Sequence, residues 1–166
     1  FAPMTREQFI LFVKQEQESL RRFLLALCCG HTDDADDIAQ ETFVKAYVSM
    51  ADYDEKGRGA IWLRRIAYTT FLNFRKSQKL RTAEVLSNSL PIPSTDNADS
   101  SFHNQELHRA LTFLSETERT SIVMHYIEGY KINEIAEVTH QSESAIKKQL
   151  QRGRDELKKR ISYDRR

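Results

Sequence analysis

The sequence predicts an all-α protein with two small helical domains that are joined by a flexible linker. Apolar residues recur at helical spacing along most of the 166 residues, and no run alternates with the period of a β-strand. Residues 82–104 interrupt this pattern with Pro, Ser, Thr, Asn and Asp, which is a linker composition. We therefore place the domains at 5–81 and 105–162, and the second contains a helix-turn-helix pattern.

The first helix is predicted to begin after Thr5, because Thr5 and Gln8 have the spacing of a capping box. Its apolar pattern continues to Gly30 and includes the adjacent Cys28 and Cys29. Neighbouring cysteines cannot easily bridge each other, and no further Cys or His cluster completes a metal site. Both are therefore predicted to be packing residues in a reducing compartment.

The second helix opens with five carboxylates in nine residues, with no basic residue among them. Thr32 or Asp33 is placed to cap it, and its dipole favours negative charge at that end. One face of its helical wheel is apolar, and the outward face combines acidic residues with a valine. Such a face suits docking on a basic protein surface, although an acidic run alone is more often a solvated turn. The outward residues are Asp37, Gln40, Glu41 and Val44.

The third helix is predicted at 61–79, after a loop at 52–60. Eight basic residues and no acidic residue lie between 56 and 81. One half of the wheel is apolar and holds Trp62, Phe71 and Phe74, which we assign to the core. The basic half carries a single aromatic residue, Tyr68. Cations that follow a backbone, beside a ring that stacks on a base, are typical of single-strand recognition.

The helix-turn-helix is predicted within 132–160, after a short helix at 107–114 and a second helix that Ser115 caps and Gly129 ends. A short helix leads into a three-residue turn at 139–141, and Ser142 caps a long basic helix. In such a unit the second helix enters the major groove with its first residues. A solvated basic surface helix is the alternative. This helix carries an apolar stripe that we predict to be buried, formed by Ile146, Leu150, Gly153, Leu157 and Ile161.

Composition narrows the classes of function. The formal net charge of +1 conceals two basic patches and one acidic patch, which indicates contact with a polyanion at two places. No apolar stretch approaches membrane-spanning length and no signal-peptide pattern begins the chain, so we expect a cytoplasmic protein without membrane insertion. The five histidines are scattered, with no nucleophile or metal-ligand spacing. We therefore expect no cofactor, no metal and no enzymatic activity.

Three motifs, in this order, resemble a bacterial RNA polymerase sigma factor of the extracytoplasmic-function (ECF) class. Residues 34–47 (DADDIAQETFVKAY) resemble the polymerase-binding helix of that class. Residues 62–67 (WLRRIA) and the basic residues after them resemble the helix that reads and melts the minus-ten promoter element. Residues 128–152 resemble the helix-turn-helix for the minus-thirty-five element. The resemblance spans about 9–160.

The resemblance implies a protein that binds core RNA polymerase and directs promoter recognition, DNA melting and transcription initiation. Its DNA partners would be duplex promoter DNA and the melted non-template strand. An anti-sigma factor is a further candidate partner, since it often holds members of this class inactive. The implied polymerase-binding residues are Asp34, Asp37, Gln40, Glu41 and Val44; the minus-ten residues are Arg58, Arg64, Arg65, Tyr68, Asn73, Arg75 and Lys76; the minus-thirty-five residues are Ser142, Glu143, Ser144, Lys147, Lys148, Gln151 and Arg152.

Three positions in the helix-turn-helix depart from the pattern of this class. His140 replaces a glycine that needs a positive φ, Gln141 replaces an apolar residue, and Lys131 replaces a Ser or Thr cap. These departures predict a weak or unusual grip on the upstream element. An additional DNA-bound recruiting partner would compensate for such a grip.

Two other interpretations remain at this stage. A helix-turn-helix transcriptional regulator that binds duplex DNA without polymerase explains the C-terminal domain. It leaves the acidic helix, the basic aromatic helix and the long linker without a role. A small adaptor that binds only protein would carry both basic faces as solvated surface.

Overall fold

The computed structural model describes residues 3–53, 57–84 and 102–164. Within these residues the chain forms helices and no strand, which confirms the prediction of an all-α fold with two helical domains and a helix-turn-helix. A 3₁₀ turn at Met50–Asp52 follows the second helix, and a π-helical turn at Val123–Ile127 follows the fifth. The α-helices are α1 (Arg6–Leu27), α2 (Thr32–Ser49), α3 (Gly59–Glu84), α4 (Phe102–Leu111), α5 (Glu116–Ile122), α6 (Ile132–Thr139) and α7 (Glu143–Asp164).

The N-terminal domain consists of α1, α2 and α3, which pack on one another through their apolar faces. The capping box at the start of α1 is confirmed: Thr5 N donates to Gln8 Oε1 at 2.8 Å, and Gln8 N donates to Thr5 Oγ1 at 3.2 Å. Both cysteines are free thiols, and Cys28 is buried. Burial raises the pKa of Cys28 to about 12, so this thiol stays protonated and serves as a packing group.

The start of α2 differs by one residue from the prediction. His31, rather than Thr32 or Asp33, is the N-cap, and its side chain caps no backbone group of α2. Its Nδ1 instead lies 3.0 Å from the carbonyl oxygen of Cys28. Gly30, at φ +90°, turns the chain between the two helices. The acidic residues therefore occupy the first turns of α2, where the helix dipole favours them.

Helix α3 is longer than the sequence predicts, since it begins at Gly59 and continues to Glu84. Its last turns contain good helix formers and no Gly or Pro, and Thr82 Oγ1 donates to the carbonyl of Gln78 at 2.9 Å. The ends of the predicted linker, 82–84 and 102–104, thus belong to α3 and α4. Residues 85–101 of that linker lie outside the described residues.

The helix-turn-helix is formed by α6 and α7. Its turn places His140 at φ +55°, as expected where a glycine would be favoured, and Ser142 Oγ accepts from Ala145 N at 3.1 Å. At the start of α6, Glu134 Oε1 accepts from Lys131 N at 2.9 Å, which is one half of a capping box; the Lys131 side chain cannot accept the other bond as a Ser or Thr would. Gln141 accepts a hydrogen bond from Gln149.

The apolar stripe of α7 is buried only in its first part. Ile146 and Leu150 are buried and Leu157 is partly buried, whereas Ile161 is half exposed, contrary to the prediction. Gly153 lies where α7 approaches α5, and a Cβ there would come within 2.6 Å of Ile122 Cγ1. A glycine that weakens the helix locally is therefore the residue that permits this close contact.

The two domains pack directly against each other. Helix α3 contacts α6, and α1 contacts α4, α5 and the π-helical turn. Arg119 of α5 is buried at this junction and donates to three carbonyl oxygens: Leu111 at 3.0 Å, Leu114 at 3.1 Å and Leu27, at the end of α1, at 2.9 Å. One guanidinium thus ties the α4–α5 connection to the N-terminal domain.

Candidate nucleic-acid and protein interfaces

The acidic face of α2, formed by Asp37, Gln40, Glu41 and Val44, lies at the surface. The first three side chains are exposed, and Val44 is 64% exposed. Val48, one turn further, is 76% exposed and lengthens the apolar part of this surface, although the sequence did not single it out. Asp34 is partly buried at the helix start. The opposite side of α2, with Ala35, Ile38, Thr42 and Ala46, is buried in the core.

The basic face, which we define as Arg58 with Arg64, Arg65, Arg75, Lys76 and Lys79 of α3, is largely engaged by the C-terminal domain. Arg58 forms an ion pair with Glu137 of α6. Glu116 Oε1, at the start of α5, lies 3.2 Å from both Arg75 Nε and Lys79 Nζ. Arg65 Nη2 lies 3.3 Å from His140 Nε2 in the turn of the helix-turn-helix. Burial alone would raise the pKa of Glu116, but the hydrogen bonds and charges of Lys79 and Arg75 together outweigh it and lower that pKa.

Arg64 is completely buried at the centre of this contact. Its Nη2 donates to Ser19 Oγ at 2.5 Å and to Glu128 Oε2 at 3.1 Å, and its guanidinium lies 5.1 Å from the centre of the Phe23 ring. Glu16 Oε2 is 3.9 Å from Nη1. Burial raises the pKa of Glu128, and the charge of Arg64 opposes that rise. A residue that the helical wheel placed on the outer half of α3 is thus an interior cation.

Tyr68 also differs from its predicted exposure, since it is only 4% exposed. Burial raises the pKa of its hydroxyl, and the nearby Glu116 carboxylate adds to the rise. The ring is therefore not free to stack on a base in this arrangement. Asn73 and Lys76, by contrast, are exposed. The helical wheel correctly placed Tyr68 on the same face of α3 as the basic residues, but this face meets the second domain instead of solvent.

A cavity of about 290 Å³ lies beside the basic face, where α3 meets the loop before it. Its walls include the rings of Tyr53 and Trp62, whose centres are 4.7 Å apart, and the side chains of Arg58 and Arg65. Glu137 of the C-terminal domain also lines it. Aromatic rings next to guanidinium groups are suited to an unpaired base and its phosphate. Sequence reasoning assigned Trp62 to the core and did not single out Tyr53.

The recognition face of α7 remains open to solvent. Its side chains are exposed on the surface away from the buried stripe, so nothing in the described part of the chain covers them. The first turn presents two serines and a glutamate, and the next two turns carry two lysines, a glutamine and an arginine. These residues are Ser142, Glu143, Ser144, Lys147, Lys148, Gln151 and Arg152.

Among the described residues, no helix is both long and apolar enough to cross a membrane. In the same residues, no group of three or more His, Cys, Asp or Glu side chains could hold a metal ion.

Comparison with known proteins agrees with this layout. The Sigma-70 region 2 family matches residues 12–81, and the Sigma-70 region 4 family matches residues 104–157. The chain is 31% identical over 121 residues to the RNA polymerase sigma factor SigV of Bacillus subtilis. The aligned residues cover 72% of this chain and 71% of SigV. It is 30% identical over 145 residues to the ECF RNA polymerase sigma factor SigM of the same organism, covering 82% and 85% of the two chains. The chain belongs to the ECF sigma factors.

Solved structures share the fold of this sigma factor. The sigma factor RpoE of Bartonella quintana, in complex with the anti-sigma factor NepR, has a TM-score of 0.78 and 23% identity, covering 95% of this chain and 99% of that one. CnrH, in complex with the cytosolic domain of CnrY, has a TM-score of 0.71 and 24% identity, covering 96% and 91%. The paired matches to both sigma-70 regions favour a sigma factor over a stand-alone helix-turn-helix regulator.

Proposed function

We propose that this sigma factor binds core RNA polymerase through α2, reads the minus-ten element through α3 and reads the minus-thirty-five element through α7. The observation that carries the proposal is the match to both sigma-70 regions, in order, on two helical domains. The proposed units are a region 2-like domain at 5–81, a linker at 82–104 and a region 4-like domain at 105–162. We assign no catalytic step to any side chain, because nucleotide addition belongs to the polymerase.

The polymerase contact is assigned to the acidic face of α2. Its exposed carboxylates suit a basic surface, and the exposed Val44 and Val48 supply apolar area beside them. Charge complementarity of this kind steers association, and a desolvated apolar centre contributes most of the affinity.

Charge reversal tests this contact. Asp37→Lys/Glu41→Lys should abolish binding to core polymerase, because it replaces attraction with repulsion on an exposed surface while leaving the buried side of α2 intact. Binding is measured by co-purification with core polymerase, and far-UV circular dichroism reports the fold. The matched control is Glu106→Lys/Asp155→Lys, which reverses two exposed carboxylates of the other domain. Normal core binding by the α2 variant would refute the assignment.

The DNA contacts are assigned to the basic face with Tyr68 and Asn73, and to the recognition face of α7. Holding a flipped base requires a pocket that restores the few kcal/mol lost when the base leaves the stack. The cavity between Tyr53, Trp62 and Arg58 has the rings and the cation for this role. Lys147 and Lys148 would contact duplex phosphates, and the polar side chains at the start of α7 would reach base edges.

An inhibitory protein is a further proposed partner. The two structural neighbours named above were each solved with a second protein, and one of these is an anti-sigma factor. A partner of that class would hold this chain away from polymerase until a signal releases it.

A further inference from the structure

We propose that a second cavity, between α2, α3 and the turn of the helix-turn-helix, binds a phosphorylated small molecule with a flat ring, of the mononucleotide class. Its volume is about 490 Å³, within the range of roughly 300–1,000 Å³ that is usual for small-molecule sites. Trp62 and Arg65 line both this cavity and the smaller one beside Tyr53. Such a site goes beyond the proposed function, which needs no small-molecule ligand.

The lining of this cavity carries positive charge without a balancing carboxylate. Lys45 of α2 and Arg65 of α3 supply the cations, and His140 adds an imidazole from the turn. None of the described residues that line the cavity is Asp or Glu. The smaller cavity differs, because Asp52 and Glu137 are part of its walls. Cations in a cleft without acidic residues attract an anionic ligand.

Arg65 is available to such a ligand. Its Nη2 lies 3.3 Å from His140 Nε2, and no carboxylate of the described residues comes within ion-pair distance of its guanidinium. The other arginines of the basic face, Arg58, Arg64 and Arg75, each pair with a carboxylate. A guanidinium binds a phosphate through two parallel N–H···O bonds. A ligand phosphate would therefore supply the anion that Arg65 lacks.

Lys45 can contribute a second contact to the phosphate. Its Nζ lies 3.2 Å from Thr70 Oγ1 and 3.2 Å from Glu41 Oε1. The pair with Glu41 is an exposed i,i+4 pair, which contributes little, and an ammonium group has three donors. One donor thus remains for a phosphate oxygen. The hydroxyl of Ser49, which makes no hydrogen bond to the described residues, adds another donor in the same cavity.

The apolar part of the lining suits a flat ring. It is formed by Trp62 and Ile66, which are both partly buried. Aromatic side chains stack on any nucleobase, since every base has a π-face. A phosphate joined to an aromatic ring therefore fits this lining better than an inorganic anion does. A free mononucleotide can end inside these walls, whereas a DNA strand has to continue past them and past His140.

Fluorescence tests the site directly, because Trp62 is the single tryptophan of the chain. The full chain is titrated with AMP, GMP, CMP and UMP, each beside its nucleoside, which carries the same ring without the phosphate. We expect saturable quenching by at least one mononucleotide. The matching nucleoside should bind at least about tenfold more weakly, because it lacks the charged contacts.

Lys45→Gln should weaken binding of that mononucleotide about tenfold, because one charge-assisted contact is lost. Isothermal titration calorimetry measures the affinity independently of fluorescence, and far-UV circular dichroism reports the fold. The matched control is Lys14→Gln, which removes an exposed lysine of α1 that does not line this cavity. The control should bind the mononucleotide as the wild-type chain does.

Three results would overturn the proposal: no saturable quenching by any of the four mononucleotides, equal binding of nucleoside and nucleotide, or equal affinities of the Lys45→Gln and Lys14→Gln variants. Quenching by a short single-stranded DNA but by no mononucleotide would also overturn it, and would assign the cavity to the surface for the unpaired strand. These titrations use neither polymerase nor promoter. A failed small-molecule site would therefore leave initiation by the wild-type chain intact, whereas failure of the proposed function would appear as absent initiation.

Discussion

Two arginines illustrate two ways to bury a cation in this molecule. Arg119 meets three backbone carbonyls, so its donors are used while groups at helix ends gain partners. Arg64 donates to one carboxylate and one hydroxyl, and its Nε and Nη1 are buried without a hydrogen-bond partner. The first arrangement is typical of a structural contact. The second leaves buried polar atoms without hydrogen bonds, so its desolvation cost is less fully offset.

Arg119→Met should lower the free energy of unfolding by about 3 kcal/mol, because three buried carbonyls would lose their donor. Urea denaturation followed by circular dichroism measures the change. Arg109→Met is the matched control, since Arg109 is exposed on α4 and its side chain makes no such bonds. Equal stability of the two variants would contradict the structural role of Arg119.

At the level of elements, each helix with an amphipathic pattern was predictable, together with caps such as Thr5 and Ser142. The exposure of the charged half of α3 could not be predicted from the sequence. A helical wheel separates an apolar half from a charged half, but it cannot tell whether solvent or another domain faces the charged half. Arg64 is buried between α1 and Glu128 of the second domain, and Tyr68 is buried near Glu116 of that domain. Arg119 was missed because an arginine between Glu118 and Thr120 has the local pattern of a surface residue.

The start of α7 carries a prediction of its own. Lys147→Ala/Lys148→Ala should weaken binding of the full chain to duplex DNA and reduce the slope of log affinity against log salt by about two, if each lysine contacts one phosphate. Fluorescence anisotropy at several salt concentrations measures both quantities. Lys14→Ala/Lys159→Ala removes two exposed lysines outside the recognition face and should leave the slope unchanged. An unaltered slope in the α7 variant would show that these lysines face solvent.

The substitutions around the turn of the helix-turn-helix are accommodated locally. The Glu134 carboxylate accepts from the backbone N–H of Lys131, and Gln149 donates to Gln141. These contacts stabilise the fold of the unit without adding DNA contacts, so a weak grip on the upstream element stays a prediction. A tight, sequence-selective footprint of the full chain on its upstream element would contradict it.

At the scale of the whole molecule, the two-domain organisation and the family resemblance followed from the order of three motifs along the chain. The packing of one domain on the other could not be predicted from that order. The contacts across this interface include ion pairs between Arg and Glu side chains, which are residue types found mostly at protein surfaces. Only their arrangement in space pairs residues as distant in sequence as Arg58 and Glu137. The two domains can therefore be predicted from the sequence, whereas the contact between them cannot.

The most direct test of the sigma-factor function is transcription in vitro from a library of bacterial genomic fragments, with core RNA polymerase alone and with this protein added. We expect new, defined start sites whose upstream sequences align into two separate elements. Asp37→Lys/Glu41→Lys should yield none of these sites. The absence of both core binding and new start sites with the folded wild-type chain would contradict the proposed function.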